Sequence, residues 1–188
     1  RLSEMTIVTR TEQIQFKSET ISGLAHASKN LYNAGNYLMR QKFFENNKLY
    51  KETKQKGNVL LYNQLYHLLK CTEEYKALPA KTSQQVLRLL EKSWKSFYMA
   101  IKAYTKTPTK FLGRPKPPKY KNKDGEHILV FTNQQCKLVH GILKFPKVVN
   151  LELKTRLTDI DLREVRIIPN GVKYTCEIVY NKTVDDKE

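Results

Sequence analysis

Residues 105–123 read TKTPTKFLGRPKPPKYKNK, and the chain changes its hydrophobic rhythm across them. Lys106, Lys110, Arg114, Lys116, Lys119, Lys121 and Lys123 follow one another with no acid between them, interspersed with Pro108, Pro115, Pro117 and Pro118. Proline has no amide N–H and biases the residue before it towards extended backbone, so the stretch is expected to be extended and not helical. A solvated basic linker over residues 106–125 is the default reading. Phe111 and Tyr120 within it add rings that can stack on bases, which favours contact with a nucleic-acid strand or backbone.

Upstream, the apolar spacing is helical. Leu87, Leu90, Trp94, Phe97, Ile101 and Tyr104 recur at steps of three and four, so Trp94 and Phe97 are expected in a core. Pro79 precedes this helix, and Pro108 must end it. Ile21, Leu24, Leu31 and Leu38, shadowed by Ala25, Tyr32 and Met39, make a second stripe, and Leu61, Leu65, Leu68 and Leu69 a shorter one within 60–70. Three antiparallel helices would bury one another as a small bundle over residues 18–105. Ahead of them, Thr6–Thr9 and Gln13–Phe16 predict one or two short strands within 5–17.

Downstream, the period falls to two. His127–Phe131, Cys136–Val139 and Ile142–Phe145 read as strands, the last two joined across His140-Gly141. Arg163–Ile168 and Val172–Tyr180 flank Pro169-Asn170-Gly171, where Asn-Gly signals a hairpin. Strands at both ends with helices between predict an α+β fold: a small antiparallel β-barrel, residues 5–17 and 126–182, interrupted by a helical bundle. Barrel closure would remove exposed edges and leave a grooved basic surface.

The composition points to a polyanionic partner. Among 188 residues, 34 Lys and Arg face 18 Asp and Glu, a formal net charge of +16. Such self-repulsion is most simply tolerated by a chain that binds nucleic acid. The charge is not gathered on one amphipathic helix, as an anionic membrane surface would require, and no run of about 18 apolar residues could span a bilayer. Arg1-Leu2-Ser3-Glu4 lacks the apolar stretch of a secretory signal, and Met5 is read as the natural start. Cys71, Cys136 and Cys176, odd in number and far apart, suggest a reducing compartment.

No catalytic constellation emerges. The cysteines form no CxxC pair; His26, His67, His127 and His140 have no HExxH spacing; there is no phosphate-cradling GxxxxGK[ST] loop. Asp159 and Asp161 would share one face of a strand, but no third carboxylate accompanies them, and a solvated turn is the better reading. Asp185-Asp186 is expected to fray in a polar tail.

Five segments in order carry a resemblance: Ser28-Lys29-Asn30-Leu31-Tyr32-Asn33, Gln84-Gln85-Val86-Leu87, Trp94-Lys95-Ser96-Phe97, Gly113-Arg114-Pro115-Lys116-Pro117-Pro118-Lys119-Tyr120 and Phe131-Thr132-Asn133-Gln134-Gln135. Together, over about Met5 to Tyr180, the chain resembles the N-terminal half of the TnpB (OrfB) insertion-sequence family, long labelled transposases and related to type V CRISPR effectors. The resemblance implies an RNA-guided DNA endonuclease with an OB-like β-barrel wedge domain into which a helical recognition domain is inserted. A RuvC-type nuclease domain, with its magnesium-binding acidic triad and a zinc finger, would follow C-terminally. Ending at Glu188, this chain is expected to bind without cutting and to need no cofactor of its own.

The partners implied are guide RNA and double-stranded target DNA, in the prokaryotic cytoplasm at the nucleoid, with no membrane. The resemblance assigns recognition of a short duplex motif to Tyr62, Lys81, Gln84, Thr132 and Asn133. Side-chain amides can bond adenine edges bidentately, and Lys can reach guanine or phosphate. It assigns the guide or heteroduplex backbone to Lys110, Arg114, Lys116, Lys119, Tyr120, Lys121 and Lys123. Tyr32 and Asn33 are expected to brace helices. A nuclease-free DNA- or RNA-binding regulator, or a transposase fragment working without a guide, is the alternative.

Overall fold

The structure, a computed structural model, describes residues 5–185. It is mixed α+β with antiparallel sheets, and it divides into two compact units. A β unit combines the chain up to His26 with the chain from Glu126 on; a helical unit spans Ala27–Gly125. The readings of Arg1–Glu4 and of Asp186 lie outside the described residues.

In the β unit, β1 (Met5–Phe16) pairs along its whole length with β7 (Lys173–Asp185), from Met5 opposite Asp185 to Phe16 opposite Tyr174. One long strand therefore stands where one or two short ones were expected, and Asp185 is a ladder residue, not part of a frayed tail. β7 continues into β6 (Asp161–Asn170), and β6 into β2 (Leu129–Thr132), in the order β1-β7-β6-β2. Tyr174, Cys176, Ile178 and Tyr180 are buried at every second position, the signature of one core-facing sheet surface. Val165 and Ile167 of β6 and Leu129 and Phe131 of β2 complete it.

The β6–β7 turn is displaced one residue from the sequence reading. Asn170 is still a ladder residue opposite Lys173, and the loop is Gly171-Val172, with only Gly171 at positive φ (62°). That is a hairpin with glycine at its first central position, which leaves Asn170 outside the turn. At His140-Gly141 both residues have positive φ (49° and 73°), as a two-residue primed turn requires. That turn joins β3 (Lys137–Val139) to β4 (Ile142–Lys144), and β5 (Glu152–Lys154) adds a third strand. The described strands thus form two open sheets, of four and three strands, instead of one closed barrel. The edge strands β1 and β2 of the larger sheet and β3 and β5 of the smaller one pair no further among the described strands, so neither sheet closes on the other. Phe131 and Phe145 meet edge-on at 5.3 Å and join the two sheets through side chains.

The first turns of α1 (Glu19–Thr53) belong to this unit. Glu126 fastens them, accepting from the Ser22 hydroxyl at 2.6 Å and the Tyr174 hydroxyl at 2.8 Å, with His26 at 3.7 Å. Ala25 accepts from the His127 amide at 3.0 Å. Asp159 and Asp161 do not share a strand face. Asp159 sits in a turn at φ 50°, and Asp161 accepts from Asn181 at 3.1 Å at the start of β6.

In the helical unit, α2 (Tyr62–Leu69), a single turn α3 (Glu73–Lys76) and α4 (Ala80–Lys106) follow α1. Gly35 of α1 lies against Leu87 and Leu90, while Phe43 meets Trp94, Phe97 and Tyr98, so α1 and α4 ascend together. Between them α2 descends, with Tyr62 beside Glu91 and Ser83 bonded to the Tyr75 carbonyl at 2.7 Å. The up-down-up bundle follows. A Cβ on Gly35 would sit 2.7 Å from Leu90 Cδ2, so glycine is what lets the two long helices approach. Trp94 and Phe97 are buried as expected. α4 ends before Pro108, but Pro108–Lys110 forms one 3-10 turn; only beyond it is the chain extended. No helix of the described residues is long and apolar enough to cross a membrane.

The thiols offer a check on this packing. Burial pushes Cys136 and Cys176 up to about 12 from an ordinary 9.0, whereas Cys71 is exposed. At pH 8 a chromogenic disulfide is expected to titrate one thiol quickly, and all three only in denaturant. The sign of the linkage follows. These two thiols contribute stability that is fully present below the unfolded value near 9 and lost as pH climbs towards 12.

Candidate nucleic-acid interface

The basic segment is not a free tether. Its prolines remove backbone donors, so its carbonyls must find partners elsewhere. One face of α1 supplies them, at spacings of four, three and four. Lys29 donates to the Lys123 carbonyl, Asn33 to Lys121 at 3.0 Å, Asn36 to Pro118 at 3.1 Å, and Arg40 to the same Pro118 carbonyl at 2.9 Å. Asn33 also accepts from the Lys121 amide at 2.8 Å, so its side chain holds both backbone groups of one residue as a strand partner would. Arg40 lies 5.3 Å over the Tyr120 ring, and the Lys121 ammonium 5.1 Å over Tyr32. Each hydrogen bond contributes roughly 0.5–1.5 kcal/mol, enough in sum to hold the segment as a strap.

Asn36 is central to this arrangement. It is fully buried, and while its amide N–H grips the strap its carbonyl accepts from Trp94 Nε1 at 2.9 Å. One side chain therefore ties strap, α1 and α4 together. Burial raises the Tyr32 phenol above its usual range against a hydrogen bond to Ser93 of α4, so Tyr32 braces helices as expected. Asn33 braces the strap instead.

With its backbone held against α1, the strap leaves its cationic residues open to solvent, Lys121 reaching back over Tyr32. Lys110, Arg114, Lys116, Lys119, Tyr120, Lys121 and Lys123 are all exposed. The helical unit as a whole is where the charge resides. Of the 34 Lys and Arg, 21 lie within Ala27–Gly125, against only 6 of the 18 Asp and Glu. The remaining 13 cations and 12 acids of the β unit nearly cancel. Several pair directly there, including Arg166 with Glu177 at 3.0 Å and Arg156 with Glu12 at 2.9 Å.

Three of the five motif-reading candidates share a second surface of the helical unit. Lys81 and Gln84 lie one turn apart on α4, with Arg88 a turn further on the same side. Arg88 stacks over Tyr62 at 4.1 Å, and Tyr62 is nearly parallel to Tyr66 at 6.3 Å. Gln64 accepts from the Leu61 amide and Glu91 from the Tyr62 amide, both at 2.9 Å, which caps α2 and fixes Tyr62. Gln84 is half-buried, and its side chain bonds the Tyr75 phenol, which burial raises and this bond lowers. Tyr66, Arg88 and Lys70 (5.7 Å over Tyr66) escaped the sequence reading, although the spacing of Lys81, Gln84 and Arg88 marks one helix face.

Thr132 and Asn133 belong to the β unit. Thr132 closes β2 into a tight turn, accepting from the amides of Gln135 and Cys136 at 3.0 and 3.2 Å, and its hydroxyl is buried. Asn133, exposed at the turn, is the one of the pair presented to solvent. Among the described residues, no group of three or more His, Cys, Asp or Glu side chains is placed to hold a metal ion. No protein-family model and no curated protein matches this chain.

Proposed function

We propose that the chain is a nucleic-acid-binding module, the wedge and recognition portion of a TnpB-like RNA-guided DNA endonuclease. The helical unit and its strap grip guide RNA and the target-adjacent duplex, and strand cleavage is the work of the family's RuvC-type nuclease domain. The observation that carries this reading is the segregation of charge. A chain that needed positive charge only for solubility would have no reason to place 21 cations against 6 acids in one unit while balancing the other. Prolines and side-chain amides hold the strap's backbone inward, leaving its ammonium and guanidinium groups free to meet phosphates. In this reading the two open sheets of the β unit correspond to the OB-like wedge, with Asn133 at its rim. Tyr62, Lys81 and Gln84 are the duplex-reading residues of the helical unit.

The test is the salt dependence of binding to RNA and to duplex DNA. Log K against log salt is expected to fall with a slope of about −0.9 for each duplex phosphate neutralised and about −0.7 for each single-strand phosphate. With six to ten phosphates held, duplex affinity drops by about three to five orders of magnitude between low and near-physiological salt. A flat response, or no binding, overturns the proposal.

A further inference from the structure

The far half of α1 carries two adjoining cavities, which the strap enters only through Arg114 and the motif-reading face does not share. One, of about 330 Å³, is an aromatic slot walled by Phe43, Tyr50, Val59 and Tyr98. The other, of about 520 Å³, is cationic, with Lys48, Lys51 and Arg114 around Phe44. Asn47 and Tyr50 line both. The reason lies in the helix: Phe43, Asn47 and Tyr50 form one stripe, and Phe44, Lys48 and Lys51 the stripe one residue behind it. The slot's outer wall is the returning loop. Lys54, at φ 61°, turns the chain back, and Asn46 donates to the Asn58 carbonyl at 2.9 Å. The loop lies so close that a Cβ on Gly57 would fall 1.9 Å from Asn46 Oδ1.

We infer that this pair of cavities is a subsite for one unstacked nucleotide of a single strand, its base in the aromatic slot beside Tyr50 and its phosphate among Lys48, Lys51 and Arg114. The inference rests on the proposed nucleic-acid binding and adds where an unpaired base is held. Three cations around one cavity suit a phosphate, and a ring-lined slot opening directly from it suits the base attached to that phosphate. Asn47, on the shared wall, offers an amide donor and acceptor to a base edge. A base stacked and paired within a duplex cannot enter such a slot, so the subsite selects single strands.

The full chain is titrated with a labelled oligouridylate and, separately, with a mixed-sequence DNA duplex. Tyr50 is about half-exposed and Val59 sits at the slot's rim, so Tyr50→Ala and Val59→Trp should fold, as matched thermal melts would verify. Tyr50→Ala is expected to weaken oligouridylate binding by about 5- to 150-fold, Tyr50→Phe by under about 2-fold, and duplex binding by under about 2-fold in both. Val59→Trp, which fills the slot without removing a cation, is expected to act like Tyr50→Ala. Glutamine at Lys48, Lys51 and Arg114 together is expected to reduce the single-strand salt slope by about 2. The subsite is overturned if the wild type binds with a steep salt slope yet Tyr50→Ala and Val59→Trp match it, or lose duplex binding equally. If the wild type binds neither polymer, the proposed function itself fails.

Discussion

Glutamine in place of Lys116, Lys119, Lys121 and Lys123 is expected to cut duplex affinity at physiological salt by about two to three orders of magnitude and to reduce the salt slope by about 3 to 4. These four side chains are exposed on a backbone whose carbonyls are already held by Asn33, Asn36, Lys29 and Arg40, so neutralising them keeps the strap's backbone attachment and gives up only the Lys121 contact with the Tyr32 ring. Counterion release then predicts the effect from the number of phosphates no longer neutralised. The matched control removes the same charge elsewhere. Lys137, Lys147, Lys154 and Lys173 are four exposed cations of the β unit, and their replacement by glutamine is expected to change the slope by less than about 1. Two quartets with equal slopes would mean that net charge alone attracts the polymer, and the strap would lose its assigned role.

The second large effect concerns what holds the strap. Asn36→Leu is expected to destabilise the helical unit by about 2–4 kcal/mol. Leucine removes the acceptor of Trp94 Nε1–H, which stays buried without a partner, and one of the two donors to the Pro118 carbonyl. An orphaned buried donor costs roughly 1–3 kcal/mol, and the lost strap bond about 1 kcal/mol more. Denaturant titration measures the total. In a double-mutant cycle with Trp94→Phe, a coupling of about 1–2 kcal/mol would locate the loss in the amide–indole bond. Limited trypsin digestion reads the strap itself. Cleavage after Lys119, Lys121 and Lys123 should accelerate in Asn36→Leu, whereas Arg114 and Lys116, each followed by proline, stay resistant. Unchanged digestion with full stability loss would show that Asn36 serves the bundle alone.

Much of the architecture was legible because it rests on local periodicity. The steps of three and four from Leu87 to Tyr104 and the apolar stripe of α1 are face-to-core patterns that any packing must respect, and Pro108 ends α4 for reasons internal to its own ring. The Asn-Gly reading was off by one residue because two turn types compete for that dipeptide. Register with β7 chose the one that leaves Asn170 in the ladder. Barrel closure was beyond local patterning, since it depends on whether strand edges far apart in sequence find each other. Among the candidate residues, which the family resemblance supplied, the position of Tyr62 at the start of a helix was legible in the sequence. The inward turn of the Thr132 hydroxyl was not, because it comes from the fold of the 132–135 turn.

Composition and spacing alone determine that this chain has helices between strands, carries a large excess of cations, and keeps one proline-rich run out of regular structure. Those properties belong to residues and their near neighbours. The concentration of cations between residues 27 and 125 is likewise a property of the linear sequence, whereas only the tertiary structure decides that α1 fastens the basic run. It also decides that Asn36, unremarked in the linear sequence, joins Trp94 to Pro118. The physical reason is that a carbonyl in a run whose prolines offer no N–H takes whatever donor the fold brings near, and residues 82 positions apart become partners only once α1 and the strap lie side by side.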